Sequence, residues 1–174
     1  MRKIMKKSIF LFVAILMIAG FSTSIMAQAT ASATATATIV TPIAISKTVD
    51  MNFGNVAVIA AGTVILAPAG TRTLTGGVTL PATAGTVTAA RFNVTGEGAY
   101  TYAITLPSSA YTITKPVTLE TMTVTAFTST PSATGALTTG AQTLLVGATL
   151  NVGAAQVAGV YTNATGFAVT VNYN

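Results

Sequence analysis

From Gln28 to the C-terminus, apolar and polar residues alternate with a period of two, and no stretch sustains a 3.6-residue period. That period belongs to a β-strand with one face buried and one wet. It confines the chain to a fold built from strands, because a helix would scatter both residue classes around its circumference. Leu144, Val146, Ala148, Leu150 and Val152 share one face of Leu144–Val152. Tyr100, Tyr102, Ile104 and Leu106 share one face of Ala99–Leu106, and Phe167, Val169, Val171 and Tyr173 one face of the last segment. Phe92 and Val94, and Met122 and Val124, mark two more strands. Val64-Ile65-Leu66 is apolar on both faces and reads as a buried strand.

Thr supplies the wet faces. There are 33 Thr between Gln28 and Asn174, and Thr is β-branched, strand-favouring and polar without charge. One apolar and one polar face per strand is the antiparallel pattern. Gly76-Gly77 between Thr73-Leu74-Thr75 and Val78-Thr79-Leu80 reads as a two-residue hairpin turn. Gly96-Glu97-Gly98 joins two strong strands, and Pro68, Pro81, Pro107, Pro116 and Pro131 fall at strand ends. The expectation is an all-β chain with one antiparallel sandwich domain over residues 41–174. An outer-membrane barrel also alternates, but sparse aromatics (no Trp) and a terminal Asn174 argue against it.

Residues 1–27 read as a signal peptide forming a helix. Arg2, Lys3, Lys6 and Lys7 precede the uncharged run Ile9–Phe21, and small-residue cleavage sites follow Ala27 and Ala29. The run is shorter than the ~20 apolar residues that a membrane-spanning helix needs, so no span is expected after cleavage. Export through the inner membrane, to the periplasm, the cell surface or beyond, is the implied address. The basic balance belongs to this leader. Beyond it, Lys47, Arg72, Arg91 and Lys115 stand scattered against Asp50, Glu97 and Glu120, and a nucleic-acid partner would require clustered cations.

The chain has no His, Cys or Trp. Zinc sites, Ser–His–Asp or Cys–His catalysis and disulfides are therefore out of reach. No Asp/Asn/Glu cluster suits calcium. Glu97 between two glycines suits a solvated turn charge, and nothing pairs the three carboxylates for glycoside chemistry. The reading is of a non-enzyme with no cofactor, no metal and no catalytic residue. Tyr100 and Tyr102 suit a core better than a sugar platform, because they share their face with Ile104 and Leu106. Asn93-Val94-Thr95 and Asn163-Ala164-Thr165 match a glycosylation sequon, a pattern common by chance in a Thr-rich chain.

Two segments suggest assembly. In Ala29–Ile39, the residues Ala31, Ala33, Ala35, Ala37 and Ile39 alternate with Ser and Thr, without charge, Pro or Gly. Such a terminal strand or extension, residues 28–40, can pair with an exposed sheet edge, its own or a neighbour's. Head-to-tail pairing that does not close makes a filament. The four alanines are small plugs, so either the acceptor groove is shallow or the segment is not a donor. At the other end, Phe167, Val169, Val171 and Tyr173 form an aromatic-ended last strand. It is similar to the C-terminal motif of chaperone–usher pilins, which a periplasmic chaperone reads by strand pairing.

A family resemblance spans about Ile39 to the C-terminus. Its residues are Met51-Asn52-Phe53-Gly54-Asn55-Val56, Gly62-Thr63-Val64, Ala90-Arg91-Phe92-Asn93-Val94-Thr95-Gly96, Tyr102-Ala103-Ile104-Thr105-Leu106-Pro107, Val146-Gly147-Ala148-Thr149-Leu150, Gly159-Val160-Tyr161 and the final Phe167–Tyr173. Each motif alone is weak; their order is specific. With them the chain resembles the exported bacterial family called domain of unknown function 4402. That resemblance implies an immunoglobulin-like sandwich of the fimbrial, pilin-like or spore-coat kind, and a structural surface role. Copies of the chain, related subunits and a periplasmic chaperone are the implied partners. The expected function is an exported cell-surface subunit assembling by strand donation. The alternative is a monomeric secreted binding module for carbohydrate or a surface protein.

Overall fold

The computed structural model describes residues 28–174; the expected signal helix lies outside them. Every element among these residues is a strand: β1 (Ala44–Val49), β2 (Ala57–Leu66), β3 (Arg72–Thr79), β4 (Ala90–Thr95), β5 (Tyr100–Thr105), β6 (Tyr111–Thr114), β7 (Thr121–Thr130), β8 (Thr134–Leu137), β9 (Ala141–Val152) and β10 (Thr170–Tyr173). All pairings are antiparallel. They form a seven-stranded sheet and a three-stranded sheet in the order β10-β5-β8, arranged as a sandwich. The described residues are all-β, as their alternation requires.

The long strand β9 organises the molecule. Its first half, Ala141–Val146, pairs with β4, and its second half, Ala148–Val152, pairs with β2. β7 pairs with residues in both halves. A strand has only two edges, so β4 and β2 must follow one another along one edge while β7 runs along the other. β1 extends the sheet beyond β4, β3 beyond β2, and β6 beyond β7. Gly147 sits where the partner changes from β4 to β2. A Cβ there would run into the Leu66 carbonyl oxygen and lie 2.7 Å from Ala67 C and 2.8 Å from Pro68 N. The end of β2 approaches β9 so closely that only glycine fits.

Two core clusters follow from this division. In the first, Tyr102 of β5, Leu137 of β8 and Val171 of β10 meet Ala90, Phe92 and Val94 of β4 and Leu144 and Val146 of β9. This is sheet against sheet. In the second, Val64, Val78, Val124, Ala148, Leu150 and Val152 come from β2, β3, β7 and β9 of one sheet. The β1–β2 connection covers them with Met51, Phe53 and Val56. Each fully buried Val or Leu contributes about 1.5–3 kcal/mol.

The five alternating apolar residues of β9 are all buried, and Tyr102 is the largest side chain fully inside. Two sequence expectations change. Gly76-Gly77 is not a hairpin turn: both residues lie inside β3, opposite a bulge in β2 where Ile59, Ala60 and Ala61 intervene between paired Val58 and Gly62. Gly76 has φ +70° and Gly77 packs against the Ala60 backbone, which is the conformational freedom such a bulge needs. The turn falls instead at Ala67–Thr71, where Ala67 N donates to Thr71 O at 2.9 Å. Nor is Val64-Ile65-Leu66 buried on both faces. Val64 and Leu66 are inside, but Ile65 is 40% exposed on the outer face of the sheet. Antiparallel β2 covers one layer only.

Candidate functional site

The sequence singles out the two ends of the chain, and each is considered in turn. Ala31, Ala33, Ala35 and Ala37 are exposed, and residues 28–38 carry no strand. Ile39 is 97% exposed. It is a large aliphatic side chain at the end of a charge-free Ala/Thr segment, and Ile59, Val117 and Val160 are similarly exposed elsewhere. The C-terminal residues lie inside the fold. Phe167, Val169, Val171 and Tyr173 all pack in or against the first core cluster. The strand is shorter than the alternation suggests, because only Thr170–Tyr173 pairs, with Thr105–Tyr102 of β5. Phe167 precedes it and wedges between rings, 4.9 Å from Phe127, 5.9 Å from Tyr111 and 6.4 Å from Phe92 by centroid.

Tyr173 does something the alternation does not reveal. Its hydroxyl accepts from the Glu97 backbone N–H at 2.6 Å and donates to the Thr41 carbonyl at 2.7 Å. The Thr41 N–H in turn donates to Glu97 Oε2 at 3.0 Å. Both backbone polar groups of Thr41 are thus held, one by the last strand and one by the β4–β5 turn. Gly96 leaves room for the phenol, since a Cβ there would collide with the Tyr173 hydroxyl. The Tyr173 ring leans on Tyr100, with centroids 5.4 Å apart. The residue at which the folded body begins is clasped to its end.

Glu97 is therefore not a free turn charge. The bond from Thr41 holds its carboxyl below the usual carboxylate range, because hydrogen bonds to the ionised form favour it. Glu120 is also held low, chiefly by the Thr118 side chain, with Lys115 a lesser cause. Lys115 Nζ stands 4.0 Å from Glu120 Oε2, and Lys47 pairs with Asp50 at 2.5 Å. The three carboxylates thus have three separate partners. Among the described residues there is no group of three His, Cys, Asp or Glu side chains able to hold a metal.

A cleft of about 480 Å³ opens between β1, β4 and the Thr162–Phe167 segment, with Lys47, Asp50, Met51, Phe92, Asn163 and Phe167 in its wall. Its ionisable groups are the Lys47–Asp50 pair. The β6–β7 loop exposes Val117 (93%) and Leu119 (71%) at φ +77° and +65°. Val160 in the β9–β10 connection is also exposed.

Residues 43–173 match the model of a family described as Domain of unknown function (DUF4402). The chain belongs to this family. The match takes in all ten strands of the DUF4402 domain and Tyr173, and it begins after Thr41 and the Ala/Thr segment. No curated protein and no solved structure is significantly similar to the chain. Sequence reasoning missed the Thr41–Glu97–Tyr173 clasp. Its one available signal was the Gly-Glu-Gly turn, where two glycines flank a single carboxylate.

Proposed function

We propose that this DUF4402 chain is an exported structural subunit of the cell surface, fimbria- or coat-like, and that it assembles by donating its N-terminal segment as a strand. The observation that carries this reading is the state of Gln28–Ile39: uncharged, alternating, exposed and without a strand, in a chain whose own last strand is already paired with β5. A self-complete sandwich does not need that segment for its core. The low charge supports the reading too, since near-neutral copies repel one another little. The leader and the pilin-like character of the domain belong to the same proposal.

The test compares Gln28–Asn174 with a chain starting at Thr41, by size exclusion with light scattering and then negative-stain microscopy. Fibres or ladders from the longer chain alone support strand donation. Two monomers overturn it. The second reading, a monomeric binding module for carbohydrate or a surface protein, draws on the exposed Val117 and Leu119. Left-handed backbone at non-glycine residues is costly and gathers at binding sites. A glycan-array signal from a monomer, lost in Val117→Ser, would favour it.

A further inference from the structure

We propose that the acceptor for the Ala29–Ile39 strand is the outer edge of β3 in a second copy of the chain. The inference rests on the strand-donation reading and adds to it where the strand goes.

The sheets offer five edge strands, and the chain itself disposes of most. On the outer side of β6, Thr114 exchanges two backbone hydrogen bonds with Thr162 (2.9 and 3.0 Å), and Asn163 Nδ2 donates to Thr112 O. β8 has the N–H of Ala136 capped by Gln142 Oε1 at 2.9 Å. β1 carries the charged Lys47 in mid-strand, which discourages pairing. β10 is four residues long. β3 remains, with eight residues and no charge or proline after Arg72, and its stretch Arg72–Thr75 pairs regularly with β2 before Gly76 turns to φ +70°. Nothing among the described residues pairs with its outer edge.

The two faces of the arm match the two faces of that edge. On the outer face, paired residues form a row across five strands: Thr75, Thr63, Asn151, Thr123 and Thr112. Its members bond sideways, with Thr63 and Thr75 hydroxyls 2.6 Å apart and Asn151 Nδ2 donating to Thr123 Oγ1 at 3.3 Å. The Thr residues of an added arm continue this row, and cross-strand Thr pairs are favourable. On the inner face, Val78 belongs to the second core cluster and Leu74 packs against it. The Phe53–Asn55 segment already lies alongside, held by Arg72 Nη1 to Phe53 O at 2.6 Å and Asn55 O at 3.0 Å. Little depth is left there, and Ala31, Ala33, Ala35 and Ala37 need little. The small arm residues and the shallow site account for each other.

The lack of native Cys makes the test clean. The chain, with its own leader, is produced in a bacterial host and recovered outside the cytoplasm. Thr34→Cys or Thr36→Cys in the arm is combined with Thr73→Cys or Thr75→Cys in β3, and matched chains carry Ser46→Cys in β1 or Asn172→Cys in β10. At least one β3 combination is expected to give a reductant-sensitive ladder of covalent multimers, while β1 and β10 combinations stay at monomer mass. A ladder from β1 or β10 with none from β3 overturns the assignment and leaves strand donation standing. A fast-migrating monomer from the β3 pair means that the arm folds onto its own edge, which also overturns it. If light scattering finds the Cys-free chain monomeric, strand donation falls and the β3 assignment with it.

Discussion

Replacing Gly147 by Ala adds one methyl group at the point where β9 exchanges β4 for β2. The added carbon meets the Leu66 carbonyl and the backbone atoms Ala67 C and Pro68 N, the latter two at 2.7 and 2.8 Å. No side chain can rotate away, so β2 must move bodily. Overpacking of this kind costs about 1–3 kcal/mol. The displacement also loosens Leu66, which is fully buried and paired with Ala148, and partial loss of a buried Leu adds about 1 kcal/mol. A total near ~3 kcal/mol lowers Tm by about 10 °C for a domain of this size. Circular dichroism melts of Gly147→Ala, Gly98→Ala and the parent make the measurement. Gly98 is the control, because the nearest atom to its Cβ would be Gly140 N at 3.8 Å; its melt should stay within ~2 °C of the parent. A Gly147→Ala chain melting as close to the parent as that would refute the idea that β9 needs glycine at its change of partner.

Gln142→Ala strips the acceptor from the buried Tyr102 hydroxyl (2.8 Å) and from Ala136 N–H; chemical denaturation should show a loss of ~1–3 kcal/mol, largely recovered when Tyr102→Phe is added. Tyr173→Phe leaves Thr41 O and Glu97 N–H without their partner, and the expected loss is ~1 kcal/mol because water can replace it. Faster hydrogen exchange at Glu97, with β9 unchanged, would locate the effect. Glu97 has a lowered pKa in the folded chain, so its contribution is present above the unfolded carboxyl value and disappears as pH falls through the folded one. The stability gap between the parent and Glu97→Gln should therefore shrink from pH ~7 to pH ~3, and a gap that widens on acidification would contradict the Thr41–Glu97 bond. Ile39→Thr should leave the melt unchanged, since the side chain is 97% exposed, but should reduce multimers in light scattering.

The sequence exposes what depends on neighbours two residues away and hides what depends on partners far along the chain. The apolar face of β9 and the burial of Tyr102 are plain in the alternation, whereas Tyr100, on the same face of β5 and equally suited to a core by its sequence, stands 43% exposed. The change of partner at Gly147 is not, because it depends on where Leu66 and Pro68 arrive from about eighty positions earlier. Gly76-Gly77 has the composition of a hairpin turn; a bulge makes the same demand on the backbone, and only the register with Val58 and Gly62 separates the two. The aromatic at 173 is legible as part of a last strand. Its task is not, since its hydroxyl reaches across 132 positions to Thr41 and 76 to Glu97.

The arm and the clasp make sense together when the energy of strand addition is considered. Ordering a backbone residue costs about 1–2 kcal/mol, and a ladder hydrogen bond returns about 0.5–1.5 kcal/mol net. An Ala/Thr strand pairing on one edge is therefore close to balance, since alanine adds little burial. Two features can tip it. One is Ile39, whose burial is worth about 1.5–3 kcal/mol and which is otherwise left in water. The other is the fixing of Thr41, two residues further on, by Glu97 and Tyr173. A base already ordered before the encounter removes part of the entropy that docking would have to meet. Under the proposed strand donation, the last strand would contribute from inside its own domain: Tyr173 sets the point from which the arm departs, and Ile39, beyond the half-buried Val40, is the first fully exposed aliphatic side chain along it.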